Sequence, residues 1–284
     1  MTEEHNDKWL NERQHSYYAQ HGEDGIVEAI LERLEIRSPW MVEFGAWDGL
    51  YNSNVLHFME TREAQVVLIE GEKDKFEKLL INHSENKKVY AINAFVSTEG
   101  KNSLDSLLAS TPIPNDFDVL FIDVDGMDYH IWNSVVQYKP KCVVIEFNPT
   151  IPNEVDFVQE ANSSLNHGNS IAAQVRLGKE KGYELVATTI NNAFFVTKEL
   201  FPKFEISNNS VAVLRGKSHV SYIFNGYDGT VFIRGSRWVD LHNMYYNEKK
   251  LQIFPKLLRG FSIKNPVKKL LYSWYKSLWK RNII

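Results

Sequence analysis

The chain has one cysteine, Cys142, among its 284 residues. That excludes an intramolecular disulfide and a cysteine-ligated metal cluster. Cys142 lies inside the apolar run Cys142-Val-Val-Ile145 and reads as core. No apolar run approaches the length that spans a bilayer, and the polar opening Met1-Thr-Glu-Glu-His-Asn-Asp7 is no secretory signal. A cytoplasmic location is expected. A basic surplus is missing as well: the net charge of −4 gives no whole-chain case for a nucleic-acid partner. The dinucleotide fingerprint G-x-G-x-x-G is absent, and so are internal repeats and low-complexity tracts. What remains is an ordinary globular composition, 43% hydrophobic and 24% charged. The length fits one large domain, or a domain with an appendage.

Two short apolar runs each stop at a carboxylate. Met41, Val42 and Phe44 read as a buried strand that leaves through the turn Gly45-Ala-Trp-Asp-Gly49, and Val66-Val-Leu-Ile69 ends on Glu70 and Gly71. Strand, glycine turn, helix, second strand and acid is the layout of a nucleotide crevice at the carboxyl ends of a parallel sheet. Trp47 and Asp48 block the close approach that a pyrophosphate needs, and Glu43 and Asp48 would repel one. A ligand with a ribose diol and positive charge suits this turn better, and S-adenosylmethionine carries both. The same acids could instead be polar caps on two ordinary buried strands. After the turn, exposed amides at the start of a helix near Tyr51, with Ser53 or Asn54, are placed to hold a carboxylate.

The first run resembles motif I of class I S-adenosylmethionine-dependent methyltransferases, with Glu70 in the place of the ribose-binding acid. A second block closely resembles the FkbM-like family of that class. It comprises Asn102-Ser-Leu-Asp-Ser-Leu-Leu108, Phe117-Asp-Val-Leu-Phe-Ile-Asp-Val-Asp-Gly126, Met127-Asp-Tyr-His-Ile-Trp132 and Cys142-Val-Val-Ile-Glu-Phe-Asn148. The polar lead-in Gln20, His21, Glu23 and Asp24 is also similar, although that family more often has Glu where Asp125 stands. The resemblance spans roughly residues 16–205. It implies a Rossmann-like α/β fold with a mostly parallel seven-stranded sheet ending in an antiparallel hairpin. It implies S-adenosylmethionine as cofactor, bound by Gln20, Glu43, Gly45, Ala46, Asp48, Gly49, Ser53, Asn54, Glu70, Gly71, Ala94, Phe95 and Asp123. The implied reaction is O-methylation of a sugar hydroxyl in a surface glycan or glycosylated metabolite.

Two mechanisms fit the acids at the ends of the fourth and fifth strands. In one, His130 or Asp125 removes the acceptor's proton, with Asp123 a further catalytic candidate beside them. In the other, Asp123, Glu146 and Asn148 hold Mg²⁺, which binds the acceptor oxygens. Asp128 belongs to the same group of candidates. The polar stretch from Asn148 to Asn169, with Asn166 and His167, reads as a substrate loop. Two other classes stay open. Phe121-Ile-Asp-Val-Asp125 also carries the Asp-x-Asp pattern of metal-dependent glycosyltransferases, and a non-catalytic binding module could keep the same fold.

Helices are predicted over Ile26–Leu34 with Asp24 as cap, over Lys73–Asn82 with Phe76, Leu79 and Leu80 inward, and from Asn169 to Gly178 or Gly182. Tyr183–Thr188 and Ala193–Thr197 read as a hairpin. The division expected is 1–205 for the methyltransferase-like domain and 206–284 for a β hairpin with a basic tail. From Lys249 onward there is no acidic residue but ten Lys or Arg, interleaved with Leu270, Leu271, Trp274, Tyr275, Leu278 and Trp279. Such a helix suits an anionic membrane surface at the inner face, or docks on its own domain or on a second subunit of a homodimer.

Overall fold

The computed structural model describes residues 6–217, 219–239, 242–259 and 265–281. Lys264, one of the ten tail bases, lies outside them. The chain divides into two units, Met1–Gly216 and Lys217–Ile284. Phe201–Phe204 and the short helix α7 (Val211–Leu214) stay with the first.

The first unit is built on a seven-stranded sheet. Strands β1 (Trp40–Phe44), β2 (Gln65–Glu70), β3 (Val89–Asn93), β4 (Val119–Ile122) and β5 (Cys142–Glu146) run parallel, and β6 (Tyr183–Thr188) and β7 (Asn192–Thr197) form the terminal hairpin. The order is β3-β2-β1-β4-β5-β7-β6, with β7 antiparallel to both neighbours. This is the fold class expected. The strands read as continuous apolar runs because helices cover both faces. On one face α1 (Glu23–Arg33), α2 (Leu56–Thr61) and α3 (Lys73–Asn82) pack Ile26, Ile30, Phe58 and Leu79 against Met41, Val66, Leu68 and Phe121. On the other, α4 (Leu104–Leu108), α5 (Asp128–Ser134) and α6 (Ile171–Glu180) pack Leu104, Trp132 and Leu177 against Val42, Val67, Leu120 and Val143. Alternate residues of each strand thus serve opposite cores.

Two local expectations are corrected, and for a third the structure takes one of the two alternatives. Gly22, at φ +90°, is the N-cap of α1, so the helix starts earlier than the apolar periodicity indicates. Asp24 instead turns its Oδ2 back to accept the N–H groups of Tyr17, Tyr18 and Ala19 at 2.8, 2.8 and 3.0 Å. Leu80 on α3 is exposed, and Leu79 alone of that trio is fully buried. Gly178 does not end α6: the rings of Phe195 and Trp132 crowd it, at 3.0 and 3.2 Å from where a Cβ would sit, and the chain turns only at Gly182, φ +81°.

In the second unit, β8 (Ser221–Asn225) pairs antiparallel with β9 (Val231–Gly235). Gln252 extends β9, its Oε1 accepting from Val231 N and its Nε2 donating to Val231 O. The helix α8 (Pro266–Lys280) is capped by Asn265, whose side chain accepts from Val267 N and Lys268 N. Among the described residues no helix is long and apolar enough to cross a membrane.

Candidate active site

Sheet order sets the location. β1 lies between β2 and β4, so successive crossovers leave it in opposite directions and a crevice opens beyond their carboxyl ends. The turn after β1 closes one side of that crevice. Gly45 (φ +74°) and Ala46 donate N–H bonds to Ile69 O at 3.0 and 3.2 Å. Trp47 N donates to Glu70 Oε2 at 2.8 Å, and Glu72 N to Glu70 Oε1 at 2.7 Å. The Glu70 carboxylate is thereby fixed at the strand end, with each oxygen retaining a further lone pair. A Cβ at Gly45 would lie 3.2 Å from the Asp123 carbonyl oxygen, so only glycine combines this backbone conformation with such close packing on β4.

The remaining predicted residues of this side fall into two groups. Ser53 and Asn54 hold the chain's own Glu43: its carboxylate accepts Ser53 Oγ, Asn54 N and Asn54 Nδ2 at 2.9, 2.8 and 2.9 Å. Burial pushes the Glu43 pKa up, and those three donors oppose the shift. Asp48 closes the turn by accepting Leu50 N and Tyr51 N. Slight burial acts upward on its pKa, but these N–H groups hold it below the usual value. Gly71, Ala94 and Phe95 stand together at the ends of β2 and β3. Ala94 N donates to Glu70 O at 3.1 Å, and the exposed Phe95 ring lies directly over Gly71. Gln20 is exposed in the lead-in to α1. That lead-in is tied across the molecule by Glu23, which accepts His21 N, Asn192 Nδ2 and Thr189 Oγ1 at 2.7, 2.9 and 3.3 Å.

The other side is a convergence of acids. Carboxylate oxygens of Asp123, Asp125 and Glu146 lie within 4.8 Å of one another. The turn that presents Asp123 and Asp125 holds the non-glycine Asp125 at φ +54°, next to Gly126 at φ +137°. Buried Asp128 braces it: Oδ1 accepts Val124 N at 2.9 Å and Oδ2 accepts Gly126 N at 2.8 Å. Desolvation first, then the neighbouring acids Asp128 and Asp125, raise the Asp123 pKa to about 7. Asp123 has exposed surface, yet its carboxylate faces a crevice crowded by protein, and the like charges there act in the same direction. Desolvation, then Asp123 and Asp128, raise Glu146 to about 9, with Asn191 Nδ2 donating to its Oε1 at 3.1 Å. Burial also raises Asp128 itself, to about 6.

Asn148 does not join this group. Its Nδ2 donates to His167 O, and its Oδ1 accepts Thr150 N and Thr150 Oγ1. Asp125 takes the place expected for it. His130 directs Nε2 to the Gln159 carbonyl at 2.8 Å, a bond that requires the proton on Nε2. Gln159 is nearly fully buried and organises the 148–169 loop: Oε1 accepts His167 N and Gly168 N, and Nε2 donates to Leu165 O. Arg215 grips the start of the same loop through Pro149 O and Asn153 Oδ1, its guanidinium 4.7 Å from the Phe147 ring centre. Neither Gln159 nor Arg215 carries a motif, so sequence reading had no signal for them. Three hard oxygen donors at this spacing fit a divalent cation such as Mg²⁺. A wide surface hollow lies elsewhere, lined by Leu56, Met59, Asn82 and His83, and contains none of these acids. The crevice at the strand ends is narrow and walled by Asn54, Phe121, Ile122, Asp123, Val144 and Asn192.

No family model and no curated protein matches the chain in sequence. Solved structures of similar arrangement include the N-terminal domain of EvdMO1 with SAH bound, at 10% identity, 63% of this chain, 81% of that one and TM-score 0.41. A SAM-dependent methyltransferase from Aquifex aeolicus is similar at 9% identity, over 68% and 97% of the two chains, TM-score 0.38. The CurJ carbon methyltransferase is similar at 9%, over 61% and 52%, TM-score 0.41. At these values the likeness concerns the arrangement of strands and helices, not chemistry.

Proposed function

We propose that the chain is an S-adenosylmethionine-dependent O-methyltransferase of FkbM-like type, acting on a sugar hydroxyl of a surface glycan or glycosylated metabolite. The observation that carries this reading is the pairing, at one switch point, of a braced Glu70 with the convergent acids of β4 and β5. Glu70 accepts the ribose hydroxyls with its free lone pairs. Gly71, Ala94 and Phe95 receive the adenine, and Gly45, Ala46 and Gln20 border the methionine end. Glu43, Asp48, Ser53 and Asn54 shape that end, and their bonds within the turn make it rigid before the ligand arrives. When bound, the donor supplies an electrophilic methyl carbon on a positively charged sulfur, which the surrounding acids favour.

The acceptor oxygen forms the new C–O bond as the C–S bond breaks, and its proton passes to a carboxylate. Asp123, with its pKa near 7, is partly ionised at neutral pH and is matched to that task. Glu146, raised to about 9, retains its proton there. His130 acts as a positioning residue through Gln159. Mg²⁺ held by Asp123, Asp125 and Glu146 would replace those protons and lower the acceptor's pKa.

Calorimetric titration with S-adenosylmethionine, with and without Mg²⁺, tests the reading. Binding that disappears in Glu70→Ala supports it. Affinity for a nucleotide sugar that requires Mg²⁺ and Asp125, with none for the methyl donor, would overturn it in favour of glycosyl transfer.

A further inference from the structure

We propose that α8 is an in-plane anchor for an anionic lipid surface, a property independent of the reaction assigned to the first unit. The helix carries two apolar edges with different partners. Along one, Tyr272 and Tyr275 pack their rings on Phe254 at 5.7 and 5.9 Å, and Tyr275 Oη donates to Ile253 O at 2.7 Å. This edge moors the helix to its own unit. Along the other, Val267, Leu270, Leu271 and Trp274 follow the spacing i, i+3, i+4, i+7 and are 63, 73, 39 and 61% exposed. A contiguous apolar face of that kind marks an interaction site.

Charge selects the occupant. At about 100° per residue, Lys269, Lys276 and Lys280 fall on the side of α8 opposite this face, Arg281 follows at its C-terminal end, and no acidic residue follows Glu248 in the sequence. Two copies paired through this face would add one basic helix to another, with no acid on either to offset the charge. An anionic bilayer meets both requirements: acyl chains cover the Leu and Trp side chains while the negative surface potential attracts the lysines of the opposite, polar face. Trp274 is of the type that settles at the headgroup boundary. Because Asn265 caps the helix and Pro266 opens it, the element is formed before it meets the surface, and binding requires little ordering.

The test is co-sedimentation of the full chain with phosphatidylcholine vesicles, with and without about one third phosphatidylglycerol, at low and high salt. Binding is expected with the anionic vesicles and should weaken with salt. Leu270→Ser with Trp274→Ser should reduce it at least about tenfold, and replacing Lys269, Lys276 and Lys280 by Gln should cost roughly fivefold per lysine. These side chains are exposed, so both variants should melt as the native chain does, which separates lost binding from lost folding. Failure of the native chain to bind anionic vesicles would overturn the proposal, as would binding unchanged in the Leu270 and Trp274 variant. A dimer in sedimentation velocity that dissociates on Trp274→Ser, without vesicle binding, would assign the face to a second copy.

Discussion

Two sets of carboxylates stand at one sheet edge and are treated differently by the chain. Glu43 and Glu70 are surrounded by donors: three groups bond Glu43, and two backbone N–H groups bond Glu70. Asp123, Asp125 and Glu146 face one another, and among the described residues the hydrogen bond that reaches them is Asn191 to Glu146. Donors fix a carboxylate's position and use much of its capacity to accept. Acids left facing like charge keep that capacity, at a cost in folding free energy. The first set is therefore held in place and the second keeps its capacity to accept, and Asp125, at positive φ, belongs to the second.

Substitutions can break this contrast. The largest effect is expected from Asp123→Asn, which should lower methyl transfer by roughly 10²–10⁴-fold while donor affinity changes little; single-turnover rates beside calorimetry separate the two. Glu70→Ala should do the reverse, weakening donor binding by roughly a hundredfold through loss of charged hydrogen bonds. Equal effects of both variants on affinity would erase the distinction. Asp128→Ala leaves Val124 N and Gly126 N without their acceptors and should cost about 2–3 kcal/mol in urea unfolding, with the rate falling as Asp125 relaxes.

The smallest effect is the most discriminating. Asp123 and Glu146 have folded pKa values raised to about 7 and about 9. The folded state thus binds more protons than the unfolded chain between the ordinary carboxylate range and those values. Their contribution to stability is complete below the ordinary range and declines as pH rises through 7 and 9. Melting temperature should therefore fall from about pH 5 upward, and Asp123→Asn with Glu146→Gln should flatten the slope. Mg²⁺ should raise the melting temperature of the native chain at alkaline pH but not that of the double variant.

The contrast also marks what the sequence revealed. Parallel strands buried on both faces write themselves as Val66-Val-Leu-Ile69 or Cys142-Val-Val-Ile145, and the glycine turn and its acid stand beside such runs. The order of elements and the location of the crevice were therefore legible. Bonding capacity was not. Nothing in the spacing says that Ser53 and Asn54 face Glu43, that Asn148 is spent on His167 and Thr150, or that Asp24 serves Tyr17–Ala19 instead of capping α1. Short polar side chains choose partners from whatever backbone the fold brings near, and those choices follow assembly rather than local pattern. Gln159 illustrates the limit, since a buried glutamine that orders a loop looks in sequence like any surface residue.

Glu23 has a consequence for when the protein becomes complete. Its bond to Asn192 joins residues 169 positions apart, and Trp9 Nε1 reaches Phe204 O across 195. Contacts so distant along the chain form late, and during synthesis they wait for the β6–β7 hairpin and the turn to Phe204 to emerge from the ribosome. The lead-in to α1 is translated first and seated last. A nascent chain that stops before Asn192 is thus expected to leave residues 14–22 open to protease, and their protection in such a chain would show that seating needs no hairpin.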